Sequence, residues 1–266
     1  PQLQAILTKL GDTFGRNRAY GVGMADFNGD SIDDMVSGDT AGDVHYYQGV
    51  GDGTFVDNGV KINAGFHDAY GLATGDFNND NKQDVVLSFT GGSGSALDGE
   101  LHLYLGNGDG TFTGTTTIFG LPRLGILIGD AGTDPMTLVA GDIDGDGDID
   151  LISGDRIAPD NNHAAVLLFR NQLIPDGTLS FTAETIISAP GGTADPENPP
   201  YFPPTSYLHA YGLALGDVDN DTDLDLLVGD RANYMYVYEN DGFGGFSPVR
   251  YETIGTRPFA FDRLQP

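Results

Sequence analysis

The chain has 266 residues, with 39 acidic against 12 basic side chains, 15 Phe, 12 Tyr, and neither cysteine nor tryptophan. A formal charge of −27 excludes the basic footprint that nucleic acid or an anionic membrane surface requires, and the aromatic content excludes a disordered acidic tail. Without cysteine there is no disulfide framework, no thiolate metal site and no reading of the redox compartment, and no apolar run approaches the ~20 residues of a membrane-spanning helix.

Taken in order, the chain opens at Pro1 with neither Met nor an apolar leader, as a processed or excised chain would. LQAILTKLG (3–11) reads as a strand. AYGVGMADFNGDSIDDMVSGD then runs from Ala19 to Asp39, and the same pattern returns at 69–89, 136–155 and 210–230. Each copy has an alternating apolar run, then D-x-[DN]-x-D-x-x-x-D, then a more apolar β-rich run such as DVVLSF or DLLVGD. VGDGTF (50–55), GNGDGTF (106–112), PDGTLSF (175–181) and NDGFGGF (240–246) each put turn residues before an aromatic, a hairpin signal. RPFAFDRL (257–264) resembles the first strand of a further copy whose acidic loop is lost.

Each copy therefore predicts four antiparallel strands, A to D, spanning about 19–63, 69–119, 136–188 and 210–255. Helical periodicity is not convincing anywhere. Four-stranded sheets at this repeat length predict an all-β propeller forming a single domain over 1–266, its termini pairing as closure or as a remnant blade. A β-sandwich with repetitive turns is the competing fold.

The acidic loop carries the chemistry. Carboxylates at alternate positions of a tight loop face one another, an arrangement that a cation relieves. Oxygen-only donors select a hard ion, and several monodentate carboxylates plus a carbonyl suit Ca²⁺ better than Mg²⁺. Positions 1, 3, 5 and 9 supply side chains and position 7 its carbonyl. The first loop gives Asp26, Asn28, Asp30 and Asp34 with Ile32; the second Asp76, Asn78, Asp80 and Asp84 with Lys82. The third gives Asp142, Asp144, Asp146 and Asp150 with Asp148; the fourth Asp217, Asp219, Asp221 and Asp225 with Asp223. An EF-hand starts the same way but needs Glu at position 12, where Ser37, Leu87, Ser153 and Val228 stand. A solvated acidic turn without metal is the alternative.

The loops and their flanks resemble FG-GAP/VCBS repeats, the calcium-loop blades of integrin α-subunit heads and of many secreted propellers. AYGVG, AYGLA and AYGLA stand where that family has its Phe-Gly start, and ADF, GDF, GDI and GDV lead into the loop. The resemblance covers roughly residues 19–255. It implies a propeller with about four bound Ca²⁺ and an extracellular, cell-surface or periplasmic setting. Integrin heads have seven blades, whereas this chain shows four and remnants.

In such a blade the A–B and C–D connections share one face, and the B–C and D–A connections the other. The repeat-breaking segments 91–99, 120–135, 156–163 and 188–209 are thus expected opposite the acidic loops, where binding usually resides. Arg156, Arg231, Tyr201, Phe202 and His209 are the candidate contacts there, suited to an acidic glycan or protein partner. Tyr20, Tyr70 and Tyr211 read as packing residues at the start of strand A, and Asp39, Asp155 and Asp230 as turn caps after strand B. No nucleophile–base motif is visible. A binding or adhesion module is the expected function, with a lyase-like polysaccharide enzyme or a structural subunit as the alternatives.

Overall fold

The computed structural model describes residues 19–64, 68–90, 99–118, 121–132, 134–155, 164–188, 210–230 and 234–253. Blade I comprises β1 (Ala19–Ala25), β2 (Asp34–Asp39), β3 (Asp43–Gly49) and β4 (Phe55–Asn63), hydrogen-bonded in that order. Blade II begins with β5 (Asp68–Gly75), β6 (Asp84–Thr90) and β7 (Glu100–Gly106). Its outer edge is formed by two separate pieces, β8 (Phe112–Thr113) and β11 (Ile126–Asp130). Between them stands a hairpin of β9 (Thr116–Ile118) and β10 (Leu121–Leu124). Blade III is β12 (Pro135–Gly141), β13 (Asp150–Asp155), β14 (Ala164–Asn171) and β15 (Phe181–Ser188); blade IV is β16 (Ala210–Gly216), β17 (Asp225–Asp230), β18 (Tyr234–Asn240) and β19 (Phe246–Thr253).

Two expectations are corrected here. Residues 121–124 and 126–130 are strand, so the segment 120–135 is not a D–A connection on the face opposite the acidic loops. It completes the outer edge of blade II: β8 pairs with Leu105 and Gly106, and β11 takes over from Leu103 to Glu100. The second correction is Asp176-Gly177, which ends a helical turn (Leu173–Asp176) instead of forming a two-residue hairpin. Gly177 caps that turn at φ 69, and its N–H donates to the Leu173 carbonyl. The N-terminal strand at 3–11 and the 257–264 segment lie outside the described residues.

Period-two alternation sends successive residues of each strand to opposite flanks of its blade, and the flanks interlock in chain order. Val36, Val44 and Tyr46 of blade I pack against Val85, Leu87 and Tyr104 of blade II. Val86, Leu101 and Leu103 then meet Leu138, Leu151 and Phe169 of blade III. Ile152, Val166 and Leu168 meet Leu226, Val228, Tyr236 and Tyr238 of blade IV. Phe169 is fully buried, and truncating such a ring to Ala costs about 3–5 kcal/mol.

Strands A approach one another most closely, and the sequence provides for it with glycine. A Cβ on Gly21 would collide with Leu72, one on Gly71 with Leu138, and one on Gly141 with Leu224. Their inner margins line a groove of about 380 Å³ from Val22 and Met24 round to Leu215. Among the described residues the four sheets do not close into a ring.

Candidate metal centre

Each A–B connection folds by the same local device. Positions 4 and 6 of all four loops adopt left-handed backbone: Gly29 and Ser31, Asn79 and Asn81, Gly145 and Gly147, Asn220 and Thr222. These two reversals let nearby backbone N–H groups point back at the acidic side chains. Asp26 accepts from Gly29, Asp30 and Ser31, and Asp217 from Asn220, Asp221 and Thr222. Asp76 accepts from Asp80 and Asn81, and Asp142 from Gly145 and Gly147. Position 3 (Asn28, Asn78, Asp144, Asp219) accepts from the N–H of position 5. Position 5 (Asp30, Asp80, Asp146, Asp221) accepts in turn from that of position 7. The side chains are thereby drawn to one side of the loop. In loop three Asp142, Asp144 and Asp146 bring oxygens within 4.8 Å of one another, and in loop four Asp217, Asp219 and Asp225 do so.

Position 9 does more than the sequence suggested. Asp34, Asp84, Asp150 and Asp225 are fully buried. One oxygen of each accepts the N–H of loop position 2, from Phe27, Phe77, Ile143 and Val218 at 2.7–3.1 Å. The other accepts the N–H at the end of strand C, from Gly49, Gly106, Asn171 and Asn240 at 2.8–3.0 Å. The same carboxylate thus staples the acidic loop to strand C of its own blade.

Like charge accumulates at these sites, only partly offset by Lys82 beside Asp80 and Arg170 beside Asp144. Burial pushes Asp84 and Asp150 up to about 7, against two backbone donors each, with Asp76 and Asp80, or Asp144 and Asp148, adding to the rise. Asp148, at position 7 of loop three, is pushed up to about 6 by burial and by Asp146 and Asp144. Its Oδ2 accepts the Ile174 N–H, whereas its buried Oδ1 has no donor; Asp223 Oδ1 of loop four is buried without one too. Orphaned carboxylate oxygens in an all-oxygen donor set fit a hard cation. In loop three Arg170 provides a partial substitute: its guanidinium meets Asp144 Oδ2 at 2.8 Å and Glu184 Oε1 at 2.9 Å, and donates to the Phe243 carbonyl of blade IV at 2.9 Å.

A protein-family model described as an FG-GAP-like repeat matches residues 26–87 and 91–153. Residues 26–153, from the first acidic loop through the third, are FG-GAP-like repeats. The matched stretch holds loops one to three, and loop four repeats the same hydrogen bonds outside it. No curated protein sequence matches the chain. The solved structure of BBS1N in complex with ARL6DN, soaked with lead, is similar to this chain at 15% identity and a TM-score of 0.42, with 90% of this chain and 56% of that one covered. This chain thus spans little more than half the length of the BBS1N chain. The FG-GAP propeller fold suggests a binding or scaffold module, and the acidic clusters of loops three and four can hold metal.

Two features of the FG-GAP loops escaped the sequence reading. One is the stapling role of position 9. The other is the pair of left-handed positions, which the residues G/S, N/N, G/G and N/T at positions 4 and 6 signalled. The expected partner-face residues Arg156, Arg231, Tyr201, Phe202 and His209 lie outside the described residues. The rings of Tyr20 and Tyr70 stand 4.3 Å apart, but Tyr20, like Tyr211, is exposed, so the expected packing at the start of strand A is only partial. Asp39 caps its turn by accepting from the Ala41 and Asp43 N–H groups.

Proposed function

We propose that this chain is a calcium-stabilised FG-GAP propeller that serves as an extracellular, cell-surface or periplasmic binding module. Each loop takes one Ca²⁺ through the side chains of positions 1, 3, 5 and 9 and the carbonyl of position 7, namely Ile32, Lys82, Asp148 and Asp223. The observation that carries the reading is the shared loop geometry, which in loops three and four brings three carboxylates, Asp142, Asp144 and Asp146 or Asp217, Asp219 and Asp225, within 4.8 Å of one another. An ion supplies the missing positive charge and links carboxylates that otherwise repel. The dependence on a freely exchanging hard ion, without cysteine, suits calcium-rich surroundings.

The binding role follows the division of labour between faces. The metal loops and C–D turns lie together: the Gly110 N–H reaches the Phe27 carbonyl, and Arg170 joins Asp144 to Phe243. By the strand order A to D, the loops 91–99, 156–163 and 188–209 are expected on the opposite face, with Arg156, Arg231, Tyr201, Phe202 and His209 as the residues proposed for an anionic glycan or protein. Arg156→Ala with Arg231→Ala should weaken binding to a sulfated glycan array or acidic partner while leaving the melting curve unchanged. Undiminished binding by the double variant would remove those two residues from the account.

A further inference from the structure

Loop one is fastened in a way that the other three are not, and the difference lies in one residue of strand C. The strand register gives Tyr46 the place that Leu103, Leu168 and Val237 hold in the other blades. Blade I alone has a hydroxyl there. Tyr46 is buried, with its ring edge-on to Phe27 at 6.5 Å. Gly110, in the C–D turn of blade II, lies so close that a Cβ on it would press into the ring. Lys61 Nζ stands 5.8 Å over the ring centre.

That packing fixes where the hydroxyl points. It donates to Asp34 Oδ2 at 2.9 Å. Asn28 Nδ2 donates to the Tyr46 oxygen at 3.1 Å and to Asp34 Oδ1 at 3.4 Å, while Asn28 Oδ1 accepts the Asp30 N–H. Together with the Phe27 and Gly49 N–H groups, Asp34 thus has two donors on each oxygen. An ionised carboxylate has about four lone-pair sites, so Asp34 is saturated. Among the described residues, Asp84, Asp150 and Asp225 at the same position 9 accept only their two backbone N–H groups, one on each oxygen. Each of these oxygens keeps a lone pair for an ion.

We propose that Tyr46 makes loop one the weakest calcium site of the four, a loop closed by protein donors before any ion arrives. The inference rests on the calcium reading of the loops given above. Hydrogen bonds to a carboxylate compete with a cation for the same lone pairs, so an ion that recruits Asp34 must displace Tyr46 or Asn28 from it. Loop two is the internal comparison. It too has asparagine at position 3 (Asn78), and Asp76, Asp80 and Asp84 match the carboxylates of loop one. Loop two also carries Lys82 Nζ 3.5 Å from Asp80, so a weaker loop one is not a matter of charge. What separates the two is Tyr46 where Leu103 stands.

Calcium titration of the full chain, followed by backbone amide NMR, reads each loop separately at position 6, through Ser31, Asn81, Gly147 and Thr222. In the wild-type protein the Ser31 signal should reach its midpoint last, at about tenfold higher calcium than Asn81. Tyr46→Phe keeps the ring and removes the hydroxyl. The Ser31 midpoint should then fall to about tenfold lower calcium, with those of Gly147 and Thr222 unchanged. A wild-type Ser31 midpoint equal to that of Asn81, or below it, overturns the proposal while leaving calcium binding intact, and that comparison needs no variant. A Ser31 midpoint that stays in place or rises in Tyr46→Phe overturns it as well. If none of the four signals responds to calcium, the calcium reading of the loops fails and this inference falls with it.

Discussion

Asn240 Nδ2 donates to the Ile143 carbonyl at 2.8 Å, joining the end of strand C in blade IV to position 2 of the acidic loop in blade III. The same amide also donates to Leu224, and its Oδ1 accepts the Gly244 N–H. Asn171 repeats the arrangement one blade earlier, donating to Phe77 and Ile149. Both side chains are buried, so their loss strands carbonyls without water. Asn240→Ala and Asn171→Ala should each cost about 2–3 kcal/mol by denaturant titration. A loss within experimental error for both would show that the amides do not hold the blades together.

Arg170 tests whether the third loop is tuned by its neighbour. It neutralises Asp144 and holds the Phe243 carbonyl, with both charged groups about four-fifths buried. Arg170→Gln should lower the stability of the metal-free protein by about 1 kcal/mol, an amount discounted for partial exposure. It should also raise calcium affinity at loop three, since Asp144 no longer shares its charge. Titration calorimetry of the variant showing weaker binding would reverse the assignment.

Thr222 occupies loop position 6 at φ 86, a left-handed conformation that a β-branched residue adopts only under strain. Gly147 has the corresponding place in loop three at φ 96. Thr222→Gly should therefore stabilise the protein by about 1 kcal/mol, in contrast to the usual cost of added glycine. A lower melting temperature would mean that the threonine makes a compensating contact.

Stability in chelator should fall as pH rises. Asp84 and Asp150 titrate near 7 in the folded, metal-free protein, whereas an unfolded aspartate titrates near 3.8. Between those values the folded state binds more protons than the unfolded one, so unfolding becomes easier as pH increases, and the effect is complete above about 7. Calcium replaces those protons. The gap between melting temperatures with calcium and with chelator should therefore widen from about pH 5 to about pH 8. A chelator melting temperature that climbs over this interval contradicts the sign.

Much of this architecture is legible in the residues themselves. Strands A and B follow from AYG-type alternation and the apolar run behind each loop, and the loop spacing identifies the oxygen donors before any coordinates. The outer edge of blade II is not legible. GLPRLGILIGDAG has the glycine and proline punctuation of a connection, yet Ile126–Asp130 pairs with β7 because that edge is otherwise uncovered beyond Leu105. Asp176-Gly177 reads as a hairpin turn in sequence, since a two-residue turn and a helix C-cap both call for glycine at positive φ. The amide bridges of Asn171 and Asn240 leave no local pattern, because their partners stand 94 and 97 residues away.

The central claim is that cations hold the acidic loops together, and scanning calorimetry of the chain in millimolar calcium against excess chelator tests it most directly. Four loops rich in mutually repelling carboxylates should lose the ligand-linked part of their stability together, lowering the transition by about 10 °C or more, reversibly on adding calcium back. Superimposable transitions in calcium and in chelator would contradict the account.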